Sequence, residues 1–291
     1  MSSASAEHSE SAPLPTPGAG TILLLLVLGL AIGTWSALCG IGGGVFAVPL
    51  LHYGFRRPLK LAVGSSLLLV AGSTSSATIT ELFRADSALH LGAAATMIAT
   101  SFVGARIGFA LGKRLDTIAL KAVFVVLLAV VALDLAFGAD PRSAQAVGDA
   151  RLLALGAPDY VAIAGLGLVA GVVAPLLGVG GGLVAVPGLL FLAPGLGFLG
   201  ARATSMAMSV FTAWQSVWLH RREKQVELAL AAWLALGAIA GGFVGVRLVH
   251  VEGATVLAQR LLAATLLFVA VRFLTDVVRG ARASGRWGAV R

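Results

Sequence analysis

Hydrophobic residues fall along this chain in eight long stretches, separated by short polar or glycine-rich breaks. They cover about 20–54, 61–82, 88–112, 117–137, 159–194, 199–220, 226–249 and 255–278. Each is of the order of the ~20 apolar residues that a helix needs to cross a bilayer. The runs are rich in Leu, Ala and Val and do not alternate with polar positions, which predicts helices and not barrel strands. The first and fifth stretches are interrupted by glycines. The polar segment 138–158 divides the set four and four. The pattern predicts an all-α, polytopic membrane protein. Its expected parts are a disordered tail (1–18), a first membrane repeat (19–137), an inter-repeat loop (138–158), a second membrane repeat (159–278) and a basic tail (279–291).

The two halves repeat each other. Residues 39–49 read CGIGGGVFAVP and residues 177–187 read LGVGGGLVAVP. Gly40, Gly42, Gly43, Gly44 and Pro49 answer Gly178, Gly180, Gly181, Gly182 and Pro187 at an offset of 138. Further on, AVGSS (62–66) answers ARATS (201–205), and FVGAR (102–106) answers FVGVR (243–247). The order is kept, which indicates an internal duplication of the kind common in transporters.

Composition agrees with the pattern: 58% of the 291 residues are hydrophobic and 12% charged, against roughly 25% charged in soluble domains. The net charge of +8 comes from basic residues in the connections, as the positive-inside rule produces, so it does not point to nucleic acid. The lone cysteine, Cys39, excludes an internal disulfide. The basic clusters are Arg56, Arg57 and Lys60; Lys113 and Arg114; Arg221, Arg222 and Lys224; and Arg279, Arg282, Arg286 and Arg291. With eight simple crossings they would be split between the two faces. If each glycine-broken stretch returns to the face it entered from, or forms a hairpin, all four share the cytoplasmic face. Each half then makes an odd number of net crossings, so the halves are inverted, and the C-terminus is expected in the cytoplasm.

Backbone at membrane depth must be satisfied by protein or water. A Gly-x-Gly-Gly-Gly run leaves N–H and C=O groups unpaired, and the apolar segment after it can restart a helix, with proline tolerated in a first turn. Such a restart gathers N–H donors and a positive dipole end at one point. Two of them, brought together by inverted symmetry, would form an anion site built on Gly42, Gly43 and Gly44 with Gly180, Gly181 and Gly182. Single glycines in membrane helices commonly serve close packing; the repetition with a trailing Ala-Val-Pro favours a functional break. Gly40, Pro49, Gly178 and Pro187 frame the motif.

Ser65, Ser66, Thr204 and Ser205 occupy matching positions and could donate to an anion, or bond a carbonyl one turn back. Arg106 and Arg247 are equivalent charges inside apolar stretches, which reads either as an anion ligand or as a side chain snorkelling to the headgroups. Gly104, Gly108 and Gly112, and Gly237, Gly241 and Gly245, form packing faces. Glu81 and His220 align at segment ends and read mainly as interfacial, with a proton-carrying role as the alternative. Asp134 is a weaker relay candidate.

The doubled G-[IV]-GGG-x-x-x-VP phrase, each copy followed by a GSS or ATS and then a GAR or GVR helix, resembles the sulfite exporter TauE/SafE family, also grouped as 4-toluene sulfonate uptake permeases. The resemblance covers roughly residues 20–278. It implies a cell-membrane transporter of small sulfur-containing anions such as sulfite or sulfonates, with the motif glycines and prolines above as the positions carried over. The expected partners are a small anion, the lipid bilayer and a proton or sodium coupling ion, with a homo-oligomer left open. No cofactor, metal site or catalytic group is expected, as neither HExxH nor GxSxG occurs. The alternatives are a non-transporting accessory membrane protein, or a transporter or channel for another solute such as a metal ion.

Overall fold

A computed structural model describes residues 18–112, 154–251 and 253–283, and these residues form helices and their connections, with no strand among them. Most of the N-terminal tail, Lys113 and Arg114, the stretch 117–137 with Asp134, residues 138–153 and residues 284–291 lie outside them. The described helices are α1 (Ala19–Cys39), α2 (Gly44–Pro49), α3 (Leu59–Leu82), α4 (Leu91–Gly112), α5 (Ala157–Leu177), α6 (Gly182–Leu192), α7 (Gly197–Arg222), α8 (Leu228–Val249) and α9 (Ala254–Ala283). Of these, α1, α3, α4, α5 and α8 are long and apolar enough to cross a membrane. The α6–α7 pair, bent by 105°, makes a sixth span if counted as one.

Each glycine-broken stretch resolves into a full-length helix followed by a half-length one. The 11 residues of α6 extend about 16 Å, half of a ~30 Å hydrocarbon core. In the first half, α2 continues into a π-helical turn at Leu50–Gly54. Pro49 has no N–H to carry on the α-helical ladder, and the bonding loosens to Phe55 N–H donating to the Leu50 carbonyl at 3.1 Å.

Glycine faces set the helix packing. A Cβ on Gly237, Gly241 or Gly245 of α8 would collide with the carbonyls of Leu26, Leu30 and Thr34 on α1, while Gly29 and Gly33 of α1 meet Leu234 and Ala238 of α8. The same arrangement recurs where Gly104 and Gly108 of α4 meet Leu168 and Val172 of α5, and Gly167 and Gly171 of α5 meet Met97 and Ser101 of α4. Small residues let the two backbones approach this closely. In both pairs the contacts advance together, so the helices run parallel, and each half's first helix lies on a helix of the other half.

Contacts along α3 and α7 descend: Gly64 meets His220, Ser75 bonds Trp214 and Glu81 bonds Arg202. These equivalent helices are therefore antiparallel, and the repeats are inverted. Two faces result. On one, Arg57 pairs with Glu227 at 2.8 Å, joining the turn after α2 to the turn before α8. On the other, Glu81 at the end of α3 meets Arg202 near the start of α7 and His250 at the end of α8.

Gly241→Val should lower detergent-solubilised stability by about 1–3 kcal/mol, as over-packing does. Gly165→Ala, which meets open space, should leave the thermal midpoint nearly unchanged. For the topology, single cysteines introduced at 55–60 and 221–224 in a Cys39→Ser background should label from one side of the membrane, and those at 195–200 from the other.

Candidate transport centre

The two glycine phrases cross one another. A Cβ on Gly44 would overlap Gly178 and Val179, and one on Gly182 would sit 2.7 Å from the Gly40 carbonyl oxygen. Gly40, Gly42, Gly43, Gly178, Gly180 and Gly181 all have φ between 73° and 88°, the left-handed region that glycine enters without steric cost. Gly42 and Gly180 both pack on Val70, in the middle of α3, and Gly180 also lies near Ser209, in the middle of α7. The crossing therefore sits halfway along both central helices.

Exchanged hydroxyls clasp it. Ser66 donates to the Gly178 carbonyl at 2.9 Å and Ser205 donates to the Gly40 carbonyl at 3.1 Å. Each half thus holds the other half's phrase. Ser66 also reaches the Val63 carbonyl at 2.7 Å. Ser65 accepts from the Glu227 N–H at 2.8 Å, which ties α3 to the turn before α8. The Thr204 hydroxyl is buried and has no bonding partner, as have those of Ser36, beside Gly43, and Ser209. No acceptor among the described residues takes the N–H groups of Gly42, Gly43, Gly44 or Val45, nor of Gly180, Gly181, Gly182 or Leu183. The crossing is thus rich in buried donors with nothing to donate to.

Arg106 and Arg247 lie on exposed faces of α4 and α8. They are not brought to the crossing, and their placement suits the headgroup reading. Among the described residues the buried arginine is Arg202, 0% exposed, which packs its stem against Gly40. Its Nη2 bonds Glu81 Oε2 at 2.6 Å, its Nη1 bonds the Ala37 carbonyl at 3.0 Å, and its Nε has no partner. Glu81 Oε1 accepts from the Ala88 N–H at 3.1 Å and lies 3.7 Å from His250 Nε2. Sequence reasoning passed over Arg202 because it sits only three residues inside its apolar stretch. The available signal was its counterpart, the apolar Val63: the repeat places a charge where its twin has none.

The inverted symmetry relates two mouths on either side of the crossing. On the Arg57 face a cavity of about 110 Å³ is lined by Val63, Phe109, Pro175 and His220, with Lys60 and Gln225. His220 meets Phe109 edge-on at 4.9 Å and directs Nδ1 to the Ser216 carbonyl. On the opposite face the equivalent positions are Arg202, His250, Ala37 and Glu81, linked by the Arg202–Glu81 ion pair, the Arg202 bond to the Ala37 carbonyl and the approach of His250 Nε2 to Glu81. Beyond the helices on the cavity side, burial holds the Glu227 carboxyl above its ordinary range, and Arg57 opposes that shift.

Arg202→Met should destabilise the protein by about 3–5 kcal/mol, because it strands a buried carboxylate. Combining it with Glu81→Leu should recover most of that loss in a double-mutant cycle of thermal unfolding.

The sequence profile described as "Sulfite exporter TauE/SafE" matches residues 3–151 and 163–290. A protein named "Probable membrane transporter protein MamO" from Paramagnetospirillum magneticum is 32% identical over 114 residues, and its namesake from Magnetospirillum gryphiswaldense is 31% identical over 114. Each alignment covers 37% of this chain and 18% of the relative, so the match spans less than a fifth of those longer proteins. No solved structure matches the chain. With the family profile matching both repeats, glycine phrases included, the chain belongs to the sulfite exporter TauE/SafE family of membrane transporters.

Proposed function

We propose that this protein carries a small sulfur-containing anion across the cell membrane by alternating access, with the glycine crossing as the binding centre. The observation that carries this reading is the meeting of two inverted glycine breaks, halfway along α3 and α7, with their N–H groups unpartnered. Buried backbone donors are almost always satisfied, so a cluster without protein acceptors calls for a bound acceptor. An oxyanion supplies several acceptor oxygens at once, and two half-helix N-termini add favourable dipole ends. The unpartnered hydroxyls of Ser36, Thr204 and Ser209 extend the donor set. Ser66 and Ser205 hold the two phrases in register.

The inverted repeats supply the movement. One mouth carries a cavity and its symmetry mate is spanned by the buried Arg202–Glu81 pair, an asymmetry expected of one end state of a rocking cycle. The positive-inside rule assigns the face with Arg56, Arg57, Lys60, Arg221, Arg222 and Lys224 to the cytoplasm. The C-terminus, at the far end of α9, lies on that same side in this scheme. Substrate class rests on family membership and on the donor chemistry of the crossing.

The test is uptake of labelled sulfite and of methanesulfonate into proteoliposomes. Saturable uptake is the expected result, and none of either anion would refute the reading. Ser209→Ala removes a donor without changing the packing. It should raise the KM of the transported anion about tenfold or more, because a hydrogen bond to a charged group is worth about 1.5–3 kcal/mol. The uptake rate at saturation should move less.

A further inference from the structure

The mouth opposite the basic face is spanned by the buried Arg202–Glu81 ion pair, whereas its symmetry mate is a cavity lined by Val63, Phe109, Pro175 and His220, together with Lys60 and Gln225. We infer that the Arg202–Glu81–His250 cluster is the gate of that mouth and the site of the coupling proton: opening it moves Arg202 from Glu81 to the anion, and Glu81 takes up a proton. This deepens the transport reading above and rests on it.

The argument starts from burial. Arg202 and Glu81 are 0% and 2% exposed, and separating a buried ion pair leaves two uncompensated charges. A transporter must part its closed gate in every cycle. The separation is tolerable only if each charge finds a new partner or is neutralised. Arg202 stands where it can exchange partners. Its stem lies on Gly40, the first residue of one glycine phrase, and its Nε is buried with nothing bonded to it. The Arg202 stem therefore packs on the glycine phrase that an anion in the crossing would occupy.

Glu81 is placed to receive the proton. Its neighbours are Arg202 on α7, His250 at the end of α8 and the Ala88 N–H in the connection to α4. Around this group, Asp86 is paired with Arg84 at 2.7 Å, and His90 bonds the Ala93 N–H at the start of α4. His250 directs Nδ1 to the Val246 carbonyl at 2.9 Å. A carbonyl can only accept, so Nδ1 carries the hydrogen and Nε2 is the nitrogen free to gain one. That nitrogen lies 3.7 Å from Glu81 Oε1, so a proton gained there can pass to the carboxylate.

The charge balance fixes the stoichiometry. The closed gate holds Arg202⁺ and Glu81⁻ and is neutral. The open, loaded gate holds Arg202⁺, a monoanion and a protonated Glu81, and is neutral again. One proton therefore travels with one monovalent anion, and no covalent or redox step is involved.

The test uses the full-length protein in liposomes containing a pH-sensitive dye, with methanesulfonate as probe because its charge does not titrate. In the wild type, an inward methanesulfonate gradient should acidify the lumen. An inward gradient of one pH unit should accumulate the probe about tenfold, the ratio set by 1:1 coupling. In Glu81→Gln, which cannot exchange a proton, acidification should vanish and stimulation by the pH gradient should fall to about onefold. The wild-type dye signal needs no variant and decides the matter even if Glu81→Gln folds poorly. Methanesulfonate uptake without acidification would overturn the proton gate and leave the transport reading standing. Absence of sulfite and methanesulfonate uptake would overturn both.

Discussion

The close approach of two glycine turns fixes everything else in this molecule. Where Gly44 meets Gly178 and Val179, and Gly182 meets Gly40 and Ile41, no Cβ can be accommodated. The turns also need six residues in left-handed conformation, which only glycine adopts freely. Once the two turns are in contact, α1 and α5 must end there and α2 and α6 must begin there. The half-helices are then too short to cross, and each glycine-broken segment returns its chain to the face it came from. The inverted topology, the shared face of the described basic turns and the buried unpartnered donors all follow from this one contact.

Much of this was legible in the sequence, because the glycines are written twice in the same order. Duplication, inversion and the meeting of the breaks came from the repeat and the charge count. The packing glycines were legible too, since spacing by four places them on one helical face. That same geometry contained the fate of Arg106 and Arg247. Each lies two residues beyond a packing glycine, Gly104 or Gly245, so it points about 200° away round the helix, far from the packed face. What the sequence could not display was the ion cluster. Arg202, Glu81 and His250 come from three helices, and each sits at the edge of an apolar stretch, where a charge is ordinary. Only the fold brings the edges together and covers them. The serines likewise sat at matching positions, but that Ser66 and Ser205 would exchange partners between halves depends on the crossing itself.

The departures from symmetry carry as much meaning as the symmetry. Val63, Phe109 and Pro175 on one side answer Arg202, His250 and Ala37 on the other. A mouth without a buried ion pair across it parts at the cost of hydration and packing, whereas one closed by a buried ion pair must exchange charges to part. A duplicated scaffold with two different closures makes its two openings respond to different chemistry.

The exchange of helices between halves also orders events in time. Gly29 and Gly33 of α1 find their packing partners at Leu234 and Ala238 of α8, about 200 residues later in the chain. At synthesis rates of about 5–20 residues per second, α1 waits some 10–40 seconds in the bilayer before its partner exists. Its glycine-lined groove, and the turn that ends it, stand open throughout that interval. The packing of the first helix is therefore completed only when the last third of the chain arrives.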